Sequence, residues 1–320
     1  MRRRSLLLGF AALTVCPAVA MAQEQVADLD WRPTVSAPAY APASGPLILI
    51  DEAHDTLQTV DGRYSGFAAL ARADGYRVQP LRRRLDEPDA LREADVLVIS
   101  NPRLALSETG PAAFSDTEIA AVATWVEQGG ALLLAIDHAP YGAAAEALGR
   151  RFGVTMGKGY AFQRVGNDLT TNLVFPSPAL ADHPIIRGRS PTDTVRTVRT
   201  FTGQSLRGPA SAAILLAMSD DALEAPDLAA LQTIRERLQA GEDAGVVTTE
   251  LARPALPAQG LAFAFGRGRV VVLGEAGMLT AQVVRFPDGR PSRAMGLNTP
   301  GHDDQQFALN LLHWLSRLLP

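Results

Sequence analysis

The chain reads as a doubly wound α/β domain with a mostly parallel sheet of the flavodoxin-like kind, and three observations predict it. Short apolar runs, among them Leu47 to Ile50, Ala131 to Ile136 and Val270 to Leu273, alternate with longer helical stretches. Runs that are apolar at every residue suit strands buried on both faces, which a helix-covered parallel sheet requires. These same runs end in Asp51-Glu52-Ala53-His54, Asp137-His138 and Gly274-Glu275. In an open parallel sheet the carboxyl ends of the strands line one crevice, so groups far apart in sequence are expected to converge there.

Arg2-Arg3-Arg4, the apolar run Leu6 to Ala20 and the small-residue end Ala20-Met21-Ala22 have the three-part form of a secretory signal peptide over residues 1–22. The run is short for a bilayer span. Arg3-Arg4-Ser5-Leu6-Leu7 also fits the core of a twin-arginine signal, so the mature protein is expected to be periplasmic or secreted, by the Sec or the twin-arginine route. Cys16, the only cysteine, lies within that signal between Val15 and Pro17, which argues against a lipoprotein attachment site. The mature protein is therefore expected to carry no thiol and to stand on its hydrophobic core alone.

Cleavage after Ala22 leaves 298 of the 320 residues, enough for one large domain with insertions. It also removes three of the 30 basic residues, leaving 27 against 34 acidic ones and a net charge near −7. A nucleic-acid surface is not expected, because Arg82-Arg83-Arg84 is a lone basic triplet beside Asp86, Glu87 and Asp89. No membrane span is expected after cleavage.

Residues 23–46 carry Pro33, Pro38, Pro42 and Pro46 among many alanines, and read as an extended arm that Trp31 can pin down. A single domain over 47–320 follows. Its pattern predicts a strand at 47–50, a helix near 65–74, strands at 76–81 and 95–99, a helix near 116–128, a strand at 131–136 and a helix near 141–152. Residues 157–191 hold many Gly, Pro and Asn with little periodicity and read as an inserted loop. Strands return at 195–201, 212–218, 261–265 and 270–273, the last two joined through Gly266-Arg267-Gly268-Arg269 as a hairpin that closes the sheet with an antiparallel edge.

Within a second insertion, near 219–259, Asp227 to Ala240 reads as a surface helix bounded by Pro226 and Gly241. The final helix shows an apolar stripe of Phe307, Leu311, Trp314, Leu315 and Leu318 opposite a polar stripe of Gln306, Asn310, His313 and Arg317. Asp303 and Asp304 are placed to cap it, and His313 is expected to be solvated. His183 and His302 lie in Pro-containing loops and read as structural.

Gly130 to Ala139, running on to Ala147 to Val154, resembles the strand, elbow and helix of the class I glutamine amidotransferase-like superfamily. That resemblance puts Asp137 where the superfamily bears its nucleophilic cysteine. Val270 to Glu275 resembles the strand whose end supplies a His and Glu pair, of which Glu275 alone is evident. Asp51 to His54 with Asp61 to Tyr64, Gly268 to Met278, and Asp304 to Asn310 with Trp314-Leu315 look like an uncharacterised bacterial exported family of that superfamily, a domain of unknown function related to gliding-motility and intraflagellar-transport modules. The resemblance covers most of 47–318 and brings no established chemistry.

Thioester hydrolysis of glutamine needs a thiolate, so amidotransferase activity is excluded by the missing thiol. Asp137 can act as nucleophile, base or ligand, with its pKa lowered by nearby backbone N–H groups, or simply cap the helix beginning near Pro140. Asp137 and Glu275 are the candidate catalytic pair. Asp51, Glu52, His54, Arg63, Tyr64, Asn101 and His138 are the candidate ligand-binding residues. Alternation along the strand lets at most two of Asp51, Glu52 and His54 face one pocket, Asp51 first. Arg63 suits an anionic group and Tyr64 a stacked ring, while Ser100-Asn101 can reach the crevice with hydrogen bonds.

No compact ligand motif defines a metal, and no cofactor is indicated. Three functions follow in order. The first is an exported binding or accessory module for a small-molecule or envelope ligand. The second is an envelope hydrolase of carbohydrate or amide bonds using Asp137 and Glu275, with or without a metal. The third is an interaction protein whose arm and last helix dock a protein partner.

Overall fold

The structure is a computed structural model that describes residues 24–103 and 112–320; the signal, its cleavage position and Cys16 lie outside them. Strand β1 (Glu24–Ala27) precedes the first core strand β2 (Leu47–Asp51), helix α1 (Ser65–Ala73) and strands β3 (Arg77–Leu81) and β4 (Val96–Ser100). Helix α2 (Asp116–Glu127), strand β5 (Ala131–Ala135) and helix α3 (Tyr141–Arg151) complete the regular half, close to the expected bounds. Short strands β6 (Thr155–Met156), β7 (Tyr160–Val165), β8 (Asp168–Thr170) and β9 (Val174–Pro176), the one-turn helix α4 (Pro184–Arg187), and strands β10 (Thr197–Arg199), β11 (Leu206–Arg207), β12 (Ala213–Ala217) and β13 (Leu223–Ala225) follow. Helices α5 (Leu228–Gln239) and α6 (Ala244–Leu251), strands β14 (Arg253–Pro254), β15 (Ala258–Phe265), β16 (Gly268–Leu273), β17 (Ala281–Arg285) and β18 (Arg293–Gly296), and helix α7 (Asp304–Leu315) end the chain.

The central sheet runs β3-β2-β4-β5-β16-β15-β11-β6, with β12 also on β15. The first four pairings are parallel, and β16-β15, β15-β11, β11-β6 and β12-β15 are antiparallel. Successive strand side chains point to opposite faces, and the chain uses both. Ile48, Ile50, Val96, Val98, Leu133, Val271 and Leu273 join one apolar cluster with α1 and α7. Leu47, Leu49, Leu97, Ile99, Leu132, Leu134, Val270 and Val272 join the other with α2 and α3. The result is a mixed α/β fold with a mostly parallel core sheet between helices.

Four expectations are corrected. The hairpin through Gly266 does form, but β15 is not an edge, because β11 and β6 continue the sheet beyond it. The arm is not wholly irregular: β1 pairs antiparallel with β17, since an extended segment with free N–H groups can add to an open edge. Residues 157–191 are not one loop but contain β7, β8, β9 and α4, strands too short to reveal a period of two. Pairs β7 with β13 and β13 with β14 build a separate sheet that α5 covers through Phe162, Leu231, Ile234 and Leu238.

Helix α7 also departs from expectation: of its polar stripe, Asn310 and His313 are buried, Gln306 is half-buried and Arg317 is exposed beyond the helix end. His313 Nε2 lies 2.6 Å from Asp74 Oδ2, and both side chains are fully buried. Asn310 Nδ2 donates to the carbonyls of Ile185 and Asp193 at 2.8 Å each. An amphipathic pattern marks one apolar face and is silent about a polar face that another part of the chain covers. Asp303 and Asp304 do not cap α7 through their side chains. Their carboxylates accept from the backbone N–H groups of Arg196, Thr197 and Arg199 instead, tying β10 to the helix.

Candidate functional site

Because β2, β4, β5 and β16 run parallel, their carboxyl ends share one edge of the sheet, and a cavity of about 340 Å³ opens there. Asp137 and His138 enter it from the end of β5, Glu275 from the end of β16, and Arg63 from the segment leading into α1. Tyr160 of β7 and Arg235 of α5 contribute the wall that the insertions supply. The expected convergence of strand ends thus holds for two of the three clusters.

The turn that carries Asp137 is held by two side chains, Asn101 and Gln204. Its backbone N–H donates to Asn101 Oδ1 at 2.8 Å, with Asn101 in the left-handed region at φ 42° that asparagine tolerates. Gln204 Nε2 donates to the carbonyls of Ile136 and Asp137 at 3.1 and 2.9 Å. Gly142 sits where a Cβ would strike the Gln204 amide, which explains a glycine in the first turn of α3. Among the described residues Asp137 Oδ1 accepts from the next residue, the His138 N–H at 2.8 Å, and α3 has no side-chain cap. The helix-capping alternative is therefore not what this carboxylate does.

Glu275 is fully buried, and its two carboxylate oxygens accept from the Gly277 N–H and, at 2.7 Å, from the Met278 N–H. Burial pushes its pKa well above the usual carboxylate range and the neighbouring Asp137 charge adds to this, against the two N–H donors. The Asp137 pKa is also raised by burial, which outweighs the His138 charge and its backbone N–H, the Asn101 side chain and Arg63. This reverses the expectation that backbone donors would lower it: desolvation of a charged form is the larger effect in a crevice floor. The Asp137 charge thus bears directly on the Glu275 carboxyl, so the two groups do not titrate independently.

His138 forms the other side of the site. Its ring stacks on Tyr160 at 4.2 Å between centroids and 19° between planes, while Nδ1 lies 2.7 Å from the Ala139 carbonyl. Tyr160 was not legible as a site residue, because it falls in the stretch read as loop. Arg63 is half-buried, and among the described residues its guanidinium donates one hydrogen bond, at 3.5 Å to the Gln25 carbonyl; burial lowers its pKa.

The remaining sequence candidates lie elsewhere. Asp51 Oδ2 bonds His54 Nδ1 at 2.7 Å, and His54 Nε2 bonds Glu118 Oε1 at 3.1 Å. This buried chain of three packs against Phe114 beneath α2, away from the cavity. Glu52 is spent on the Val60 N–H at 2.8 Å and Arg82 Nε at 3.0 Å. Tyr64 is fully buried, and its hydroxyl accepts from Ser100 Oγ at 2.9 Å, so it cannot stack on a ligand. Neither Ser100 nor Asn101 lines the cavity; Asn101 positions Asp137 instead. Glu118, the third member of the His54 chain, gave no signal beyond its capping-box spacing from Ser115. Among the described residues no group of three or more His, Cys, Asp or Glu is arranged to hold a metal ion, and no helix is long and apolar enough to cross a membrane.

The N-terminal domain of mmIFT52 superposes with a TM-score of 0.54 at 13% identity, over 84% of this chain and 97% of that one, which fixes a shared fold. Two ThuA-like proteins are more distant. One, from Bacteroides uniformis, gives a TM-score of 0.43 at 10% identity over 88% of this chain and 94% of its own. The other, from Parabacteroides merdae, gives 0.45 at 11% over 85% and 90%. No curated protein matches. The family model described as "Domain of unknown function (DUF4350)" matches residues 63–290, from Arg63 at the cavity through Asp137 and Glu275, and the chain belongs to that family.

Proposed function

We propose that the protein is an exported ligand-binding or accessory protein that uses an amidotransferase-like, flavodoxin-like scaffold without the parent thiol chemistry. The observation that carries the reading is that Asp137, His138, Glu275 and Arg63 line one cavity although they come from three separate parts of the chain. The strand order β3-β2-β4-β5-β16 supports the flavodoxin-like assignment, and the three-part N-terminal segment supports export. A small polar ligand fits what lines the space. The His138-Tyr160 stack offers an aromatic wall, Arg63 donates, and an ionised Asp137 accepts from a hydroxyl or amide.

A second reading, envelope hydrolysis, is favoured by one specific observation. Asp137 and Glu275 are both pushed upward in pKa in the same crevice, the condition under which one carboxyl stays protonated as an acid while its partner serves as base. Native mass spectrometry of the mature protein, purified from the periplasm without chelators beside an Asp137→Asn variant, separates the cases. Binding predicts a stoichiometric small-molecule adduct on the wild type that the variant lacks. Hydrolysis predicts turnover of envelope saccharide or peptide fragments that Asp137→Asn abolishes with its fold intact. A bare polypeptide mass and no turnover in either protein refute both.

A further inference from the structure

A second cavity of about 580 Å³ adjoins the first, and Gln25, Thr171, Phe201, Thr202, Arg235 and Met295 line both. Its charge is one-sided. Arg199 of β10, Arg235 of α5 and Arg293 of β18 line it and, among the described residues, no Asp or Glu does, although Asp304 lies behind Arg199 with its carboxylate on the Arg199 backbone N–H. Three elements distant in sequence thus bring guanidinium groups to one space. The rest of its wall is mixed: Thr170, Asn172 and Thr299 add polar groups, and Leu169, Ala294 and Pro300 add apolar ones.

Two donors there are left unmatched. Arg199 Nε and Thr299 Oγ are buried without a hydrogen-bond partner among the described residues. The Arg199 guanidinium lies over the Phe201 ring, 5.2 Å from its centroid, which fixes it at the boundary between the two cavities. Arg235 does have a partner, Asp168, reached by Nε at 3.1 Å. Like charges around one space repel, and buried donors without acceptors cost free energy, so the arrangement is relieved by an anion. A guanidinium fork matches a carboxylate, sulfate or phosphate group better than an ammonium does, and arginine supplies every cation on this wall.

We propose that this cavity is an anion subsite, and that the ligand of the carboxylate crevice carries a carboxylate, sulfate or phosphate group which Arg199 and Arg293 hold, with Arg235 at the junction. The neutral end of that ligand then lies toward Asp137, His138 and Glu275, where an anionic group would be repelled by the carboxylates. The subsite names the ligand class for the reading of the crevice as a binding site and, for the spanning ligand, rests on that reading.

The test is calorimetric titration at low ionic strength with inorganic phosphate, with sulfate, and with glucuronate against glucose as its neutral counterpart. Wild type is expected to bind all three anions, and glucose at least tenfold more weakly than glucuronate. An Arg199→Gln, Arg293→Gln variant should weaken each anion at least tenfold. Arg293→Glu, at an exposed position where folding is not at stake, should do the same. Asp137→Asn separates the two ideas: it should leave phosphate and sulfate unchanged and weaken glucuronate. If it leaves glucuronate unchanged too, the anion subsite stands and the crevice reading fails. Absence of anion binding by the wild type, or binding equal in the Arg293→Glu protein, overturns the subsite.

Discussion

Replacing Glu224 should cost more stability than any cavity-lining substitution, because this residue rivets the inserted sheet to the central one. Glu224 sits on β13, fully buried. Oε1 accepts from the Gly159 N–H at 2.8 Å and from Arg253 Nη2 at 2.9 Å, while Oε2 accepts from the Ser205 N–H at 2.8 Å and from the Ser205 hydroxyl. Alanine leaves two backbone N–H groups and a hydroxyl buried without acceptors, each worth ~1–3 kcal/mol, with limited relief from entering water. The sum is on the order of 3–6 kcal/mol for Glu224→Ala. Glutamine retains one oxygen and turns its NH₂ toward one of the two backbone donors, so Glu224→Gln should lose about 2–3 kcal/mol. Urea denaturation followed by far-UV circular dichroism reads both. A loss under about 1 kcal/mol for alanine would refute the reasoning, since that is the net worth of one ordinary hydrogen bond.

Three further outcomes follow from the same geometry. Asp137→Asn removes a carboxylate whose folded pKa is raised, so the ionised group opposes folding above its ordinary value of 3.8. The variant should melt higher than the wild type at pH 7, and the gain should vanish below about pH 4. An unchanged or lower midpoint at pH 7 would contradict a desolvated Asp137. His54 is lowered by burial, but its hydrogen bond and charge contact with Asp51, together with Glu118, outweigh this and raise it above 6.5. A raised histidine contributes stability that is complete below that value and lost as pH rises through the folded pKa. Urea denaturation should therefore show His54→Gln losing most at pH 5.5 and least at pH 9, and a loss independent of pH would count against the charged pair. Gly157→Ala should destabilise, because a Cβ there strikes the Glu224 carboxylate; a thermal midpoint equal to wild type would mean that the carboxylate is not so placed.

The regular half of the fold was legible because its strands are apolar on both faces and its helices long enough to show a period, from Leu47 to Arg151. In the insertions only helix α5 was legible, since β7 to β9 and β13 to β14 are strands of two to six residues and, β7 with β8 apart, their partners are remote in sequence. The site divides the same way. Asp137, His138 and Glu275 line one cavity, as the rule that strand ends converge leads one to expect from topology alone. Arg63 was found through the Asp-Gly-Arg-Tyr stretch, although its neighbour Tyr64 turned inward to Ser100. Asp51 and His54 were misplaced because the same rule does not say how deep a strand end lies, and here α2 brings Glu118 over them. Tyr160, Arg199, Arg235 and Arg293 carried no local signal at all; only tertiary structure gathers them.

The claim on which the rest depends is that carboxyl groups from two separate strand ends share one desolvated crevice. Carbon-13 NMR titration of the side-chain carboxyl carbons of Asp137 and Glu275, in the wild type and in Asp137→Asn, measures it. Both groups should titrate above the ordinary carboxylate range, Glu275 the higher, and the Glu275 midpoint should fall when Asp137 becomes neutral. Ordinary midpoints near 4 for both, or a Glu275 titration indifferent to the substitution, would contradict the account.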